Sequence, residues 1–324
     1  MEIPLQRPVR VVIVGSGNVG ATTAFALALN GAASEIVLID ANHARAEGDA
    51  MDLNHAMPFM RPARVWAGDY ADCASANIVI LTAGVGQRPG ETRLDLLKRN
   101  AEVFGQIVPR IIEQTREAVL VIATNPVDVL THVAWKVSGY PAAKVIGSGT
   151  ILDTARFRHL LSQRFGVDPR SVHAFVIGEH GDSEVAAWSL ANIAGMRLDE
   201  FCRLNDCALE PETKAQIYAN TRNAAYEIIS RKGATFYAIA AGLVRIVEAI
   251  VRDEHSVLTV SSLVEGKYGL TDVCLSLPTV VNRTGVARVL ELALDESERA
   301  GLQQSAAVIH HALDSLAAGL YFTS

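Results

Sequence analysis

The stretch from Val11 to Asp40 constrains this chain more than any other. The β-branched run Val11 to Val14 leads into Gly15-Ser16-Gly17-Asn18-Val19-Gly20 and then an Ala/Leu-rich segment, which gives the order strand, glycine turn, helix. Gly15 suits a tight turn, Gly17 admits a pyrophosphate to the backbone, and Gly20 lets helix and strand pack closely. The helix N-terminus then offers unpaired N–H groups to an anion. A second apolar run, Ile36 to Ile39, ends in Asp40, where a carboxylate can accept hydrogen bonds from an adenosine ribose and repel the extra phosphate of NADP. Glycines at this spacing also mark ordinary turns; the acid at the end of the second strand tips the reading towards NAD.

A chain of 324 residues has room for about two domains. With 50% of its residues apolar and 20% charged it reads as an ordinary globular protein. A formal charge of −6 with scattered basic residues argues against a nucleic-acid partner. The apolar stretch Ala238 to Val251 is broken by Arg245 and Glu248, so no membrane span is expected. The opening residues MEIPLQRPVR lack a signal-peptide core, which leads to the expectation of a cytoplasmic protein. Cys73, Cys202, Cys207 and Cys274 show neither C-x-x-C pairing nor a nearby histidine cluster and read as buried reduced thiols, with no metal expected.

Beyond Asp40, a helix is expected from His43 to Met57, then strands at Val65 to Ala67 and at Asn77 to Thr82. The latter ends in the glycine-rich turn Ala83-Gly84-Val85-Gly86. Gln87 to Arg93 is polar and broken by Pro89 and Gly90, as a lid over a ligand would be, and a helix follows to about Gln114. Ala118 to Ile122 and Lys144 to Gly147 complete six strands alternating with helices. That alternation predicts an α/β fold with a doubly wound parallel sheet, its ligands lying beyond the strand ends near Gly84, Asn125 and Ser148. From Ile151 it stops, and a mixed α+β substrate domain is expected. The predicted division is 1–149 and 150–324, without a linker.

Two charges interrupt the apolar stripe of the helix starting near Thr150, where Asp153, Arg156, Phe157, Leu160 and Leu161 share a face. One reading is local: Asp153 completes a capping box with Thr150 and pairs with Arg156. The other is functional: Arg156 holds a substrate carboxylate through its planar fork while Asp153 orients a base. The candidate base is His180, in a glycine-flanked polar turn after a β-branched strand; a structural histidine fits the same spacing.

The segments GSGNVG, AGVGQRPGETR, ATNPVD, GSGTILDTARFR, IGEHGDSE and KGATFYAIA occur in that order. Together they resemble the L-lactate/malate dehydrogenase family, in particular its bacterial L-lactate dehydrogenases, over nearly the whole chain. The resemblance implies that NADH delivers hydride to a 2-oxo acid while protonated His180 gives the carbonyl oxygen its proton, neutral His180 serving the reverse reaction. It implies that Asp153 holds the imidazole, Arg156 binds the substrate carboxylate, Arg93 closes with the lid to polarise the carbonyl, and Asn125 contacts the substrate oxygen. Malate members sharing this loop carry arginine at the position of Gln87, so a neutral Gln87 implies pyruvate and L-lactate as substrates; Thr235 agrees. The NAD site would comprise Gly15, Gly17, Val19, Gly20, Asp40, Arg45, Tyr70, Gly84, Val85, Ala123, Thr124, Asn125 and Ser148. Arg158 and His173 match a pair that binds fructose 1,6-bisphosphate across a subunit interface, the plain alternative being a solvated arginine and a structural histidine. A homotetramer is implied as well.

Two other functions remain to be weighed against this one. A malate dehydrogenase is disfavoured by Gln87 and Thr235. A non-catalytic NAD(H)-binding protein of the same fold would have no need of His180, Asp153, Arg156 and Arg93 together.

Overall fold

The computed structural model describes residues 8–86 and 90–318, apart from the Arg93 side chain; Gln87 and that side chain therefore lie outside the described residues. The first half runs β1 (Arg10–Val14), α1 (Asn18–Asn30), β2 (Glu35–Ile39), α2 (His43–Ala56), β3 (Arg64–Ala67), β4 (Ile78–Leu81), α3 (Arg93–Ile112), β5 (Val119–Ile122), α4 (Val127–Ser138) and β6 (Val145–Gly147). Its strands lie in the order β6-β5-β4-β1-β2-β3, all parallel. Helices cover both faces, so β1, β4 and β5 are buried almost completely, and this is why they read as unbroken apolar runs rather than as alternating patterns. The turns from β1, β2, β4 and β5 into the helices that follow them all lie at the carboxyl ends of the parallel strands.

The second half begins with α5 (Ile151–Phe165), followed by the two-residue strands β7 (Val172–His173), β8 (Val176–Ile177), β9 (Val185–Ala186), β10 (Asn192–Ile193) and β11 (Met196–Arg197). Then come α6 (Leu198–Leu204), α7 (Pro211–Lys232), α8 (Tyr237–Val251), β12 (Ser256–Val264), β13 (Val273–Asn282), β14 (Gly285–Val289) and α9 (Glu296–Ala317). The antiparallel set β12-β13-β14 does not form a sheet of its own. It continues the parallel sheet through β6, with Ser261 opposite Gly147, and makes nine strands in one surface. Without it β6 would be an open edge. Gly147 permits the close approach, because a Cβ there would lie 2.3 Å from Thr131 Oγ1 and 2.8 Å from Ser261 Cβ.

Two sequence expectations are corrected in detail. Cys73, Cys202 and Cys274 are buried free thiols, but Cys207, just beyond α6, is only half-buried. Thr150 does precede α5, yet its hydroxyl makes no capping bond; it donates instead to Val176 O at 2.6 Å. A carbonyl on β8 outcompetes the helix terminus for that hydroxyl. Among the described residues no helix is long and apolar enough to cross a membrane.

Candidate active site

The glycine turn forms one wall of a cleft of about 730 Å³ at the carboxyl end of the parallel strands. Gly15 has φ +108°, and a Cβ there would lie 2.5 Å from the Ala83 amide nitrogen. A Cβ on Gly20 would fall 1.9 Å from Gly15 O, so helix and turn can meet only at glycine. Gly17 is different: among the described residues nothing lies within 4 Å of a Cβ built there. The open side of the turn is thus shaped for an incoming group rather than for packing, as a pyrophosphate requires. Asp40, directly after β2, accepts the N–H groups of Ser16 at 2.6 Å and Asn42 at 2.8 Å, which fixes its carboxylate beside the turn.

Of the expected cofactor residues, Gly15, Gly17, Asp40, Arg45, Tyr70, Gly84 and Val85 line this cleft. Val19, Gly20, Ala123, Thr124, Asn125 and Ser148 are not part of its wall. Gly20 is packed against the turn. Val19 and Ala123 pack on the core beneath, Thr124 Oγ1 donates to Ala83 O at 2.8 Å, and Ser148 is buried with its N–H on Ile122 O at 2.7 Å. Asn125 stands at the end of β5 before a cis bond to Pro126, and its carbonyl accepts Asn100 Nδ2 at 3.1 Å. Asn100 also accepts the Val85 N–H at 2.8 Å and so ties the ends of β4 and β5 together. The opposite wall includes Val103, Gln106, Ile107 and Arg110 of α3, which sequence reasoning missed. Their spacing of three and four residues was the available signal. The Arg110 guanidinium lies 3.9 Å from the Tyr70 ring centroid.

The second cluster is assembled by α5 and the turn after β8. Val176 is clasped from both sides, its carbonyl by the Thr150 hydroxyl and its N–H by Thr154 Oγ1 at 2.9 Å. Gly178, at φ +88°, exchanges backbone bonds of 2.8 and 2.9 Å with Ser276 of β13. The chain leaves β8 in a fixed direction, and two residues later His180 meets α5. Its Nδ1 lies 2.5 Å from Asp153 Oδ2, while Arg156 Nη1 donates to Asp153 Oδ1 at 2.7 Å. Asp153 is buried, whereas 12% of the Arg156 and 23% of the His180 side chain reach solvent. Asp153 thus meets both Arg156 and His180, whereas the capping bond of the local reading, to Thr150, does not form.

Burial opposes charge on His180, but the Asp153 carboxylate and its hydrogen bond, aided by Asp128, outweigh it and hold the ring up at about 9. Asp153 is held below the usual carboxylate range: burial would raise it, and His180 and Arg156 together prevail. The arrangement gives an imidazolium at neutral pH with Nε2 unengaged among the described residues, next to a guanidinium with donors to spare. Such a pair can bind a carboxylate and give up a proton nearby.

Two acids in this cluster escaped sequence reasoning. Asp128, in the first turn of α4, accepts the His180 N–H at 2.7 Å. Glu184 is buried, with no hydrogen bond to Oε1 among the described residues, and burial, reinforced by Asp153, pushes it up to about 8. An acid inside the apolar run Val127 to Leu130 was as anomalous as Asp153 and carried the same signal. Thr235, between α7 and α8, is half-buried, and no hydrogen bond among the described residues joins it to His180. Arg158 points to the other side of α5, where Nη2 donates to Pro169 O at 3.1 Å and the buried Nε has no hydrogen-bond partner among the described residues; His173 on β7 is exposed.

Residues 9–147 match the family described as lactate/malate dehydrogenase, NAD binding domain, and residues 150–319 match its alpha/beta C-terminal domain. The L-lactate dehydrogenase of Acetivibrio thermocellus is 54% identical over 307 residues, which cover 95% of this chain and 97% of that one. The probable L-lactate dehydrogenase of Schizosaccharomyces pombe is 51% identical over 310 residues, 96% of this chain and 94% of that one. A crystal structure of the minor L-lactate dehydrogenase from Enterococcus mundtii in its ligands-bound form aligns with a TM-score of 0.93 at 44% identity, covering 96% and 99% of the two chains. Kinship of this extent, with the NAD-binding match beginning just ahead of the glycine turn, leaves one conclusion: the chain belongs to the lactate/malate dehydrogenase family.

Proposed function

We propose that this protein is an NAD-dependent L-lactate dehydrogenase that interconverts pyruvate and L-lactate. The observation that carries the reading is the single buried carboxylate of Asp153 bonded to both His180 and Arg156. Bound NADH supplies the hydride for the carbonyl carbon of the 2-oxo acid. Arg156, with one nitrogen engaged by Asp153, pairs its remaining donors with the substrate carboxylate and sets the carbonyl within reach of His180. His180 enters as imidazolium and gives the proton on Nε2 to the carbonyl oxygen; in the reverse direction the neutral ring takes the hydroxyl proton. Asp153 fixes the ring through Nδ1 and balances its charge. Arg93 is assigned the polarising role over the closed site, Asn125 the contact to the substrate oxygen, and Gln87 and Thr235 the choice of pyruvate over oxaloacetate. These assignments are supported by the motif resemblance.

The division into a cofactor half, 1–149, and a substrate half, 150–324, belongs to the same reading. So do a cytoplasmic homotetramer and activation by fructose 1,6-bisphosphate at Arg158 and His173. A buried Arg158 Nε without a hydrogen bond among the described residues and an exposed His173 support an anion at this position.

Consumption of NADH by the purified protein, with pyruvate and with oxaloacetate, each with and without fructose 1,6-bisphosphate, tests the whole. Fast oxidation with pyruvate at lower concentration when the bisphosphate is present is expected. Preference for oxaloacetate overturns the substrate, and indifference to the bisphosphate overturns the effector site.

A further inference from the structure

His180 is held by two carboxylates. Asp153 takes its ring; Asp128, from a different helix, takes its backbone N–H at 2.7 Å through Oδ2. Asp128 is 2% exposed, and among the described residues no hydrogen bond of good geometry reaches its Oδ1, although the Ser261 hydroxyl stands close to the carboxyl. A buried carboxylate is costly, and leaving one oxygen unpaired makes it more so, so an aspartate here is not explained by packing. A first-turn acid can stabilise its own helix through the dipole, but the oxygen that would cap α4 is spent on a turn 52 residues further along the chain.

We propose that Asp128 is a positioning residue for His180: it fixes the backbone from which the imidazole projects and adds a second negative charge that favours the protonated ring. The proposal rests on His180 being the proton donor. The groups around the pair are consistent with it. Burial lifts the Asp128 carboxyl to about 6, while Ser261 and the His180 N–H restrain the rise, so it is ionised at neutral pH. Glu179, on the same turn as His180, works against that ionisation. Cys274 faces Asp128 from β13, and burial keeps it a neutral thiol. On the other side of the ring, Arg156 opposes the charge on His180, and Asp153 and Glu184 complete the set.

Asp128→Asn is the discriminating variant. The amide oxygen can still accept the His180 N–H, and its NH2 group would meet the nearby Ser261 hydroxyl, which has no hydrogen bond of good geometry among the described residues. Geometry is preserved and charge removed. With histidine labelled at the ring Cε1 carbon, the His180 resonance, identified by its loss in His180→Gln, is titrated in the NADH complex. The midpoint is expected to fall by about one pH unit in Asp128→Asn. In the same variant the alkaline limb of pyruvate reduction and the acid limb of lactate oxidation should both move to lower pH. Midpoints and limbs that stay in place overturn the proposal.

A measurement on the unaltered protein guards against a variant that fails to fold. The wild-type His180 resonance should show a minor step below neutral pH as the buried Asp128 carboxyl takes up its proton, and a resonance blind to any such step overturns the proposal equally. The titration needs no substrate, so failure to reduce pyruvate would overturn the proposed function, whereas an unshifted titration would overturn the role of Asp128 alone.

Discussion

Arg156 and His180 stand on opposite oxygens of one buried carboxylate, Arg156 Nη1 at 2.7 Å from Asp153 Oδ1 and His180 Nδ1 at 2.5 Å from Oδ2. In the proposed mechanism, substrate binding and proton transfer therefore share a support. In Asp153→Asn one oxygen must serve two donors, and the charge that raises His180 is gone. Pyruvate reduction at neutral pH is expected to fall at least about 100-fold, with the alkaline limb of kcat/KM moving from near 9 towards the ordinary histidine range. A limb that stays near pH 9 in this variant would show that Asp153 does not set the protonation of the ring.

The two glycines of the cradle should fail in different ways. Gly17 has φ −74°, a value any residue adopts, and open space where a side chain would go. Gly17→Ala should keep the wild-type thermal midpoint within about a degree yet weaken NADH binding at least about 10-fold, since the methyl group takes the place of the pyrophosphate. Gly20→Ala drives a methyl group into Gly15 O and should lower the midpoint itself. Fluorescence titration of NADH alongside thermal unfolding separates the two, and unaltered NADH affinity in Gly17→Ala would remove the turn from the cofactor site.

Glu184 is a stability liability with a defined sign. Its carboxyl is raised from 4.5 to about 8 by burial, so the folded chain keeps a proton that the unfolded chain has lost. The stability this contributes is full below pH 4.5 and drains away as the pH rises through about 8. Glu184→Gln should match the wild type at pH 5 and melt higher at pH 8.5, by roughly 2 °C for each kcal/mol relieved. Equal differences at the two pH values would mean that the carboxyl is not titrating in this range.

Gln87 tests substrate choice from outside the described residues. A second substrate carboxylate facing a neutral amide without a partner costs several kcal/mol, and arginine would supply that partner. Gln87→Arg should shift the ratio of kcat/KM for pyruvate over oxaloacetate by about 100-fold towards oxaloacetate. If the ratio does not change, specificity resides elsewhere.

The parallel half of the fold was legible because each element announces itself locally. β1, β4 and β5 are apolar runs buried on both faces, and Gly15 and Gly20 sit where only glycine satisfies the turn, with Gly17 between them on its open side. The junction with β12 was not legible, since it depends on Ser261 meeting Gly147 across more than a hundred residues. The site shows the same division. Asp153 and Arg156 stood out as charges on an apolar stripe, but their meeting with His180 is set by Thr150 and Thr154 clasping Val176, a contact with no local signature. Asp128 carried the same signal as an acid in an apolar run, but its partner is a backbone N–H 52 residues away, so the sequence did not show what it holds.

The most direct test of the central claim is turnover by His180→Ala measured beside its NADH affinity. Removing the proton donor should cost at least about 100-fold in the rate of pyruvate reduction at neutral pH while NADH binds as in the wild type. Pyruvate reduction at the wild-type rate in that variant would contradict the assignment of His180, and with it the role of the carboxylate it shares with Arg156.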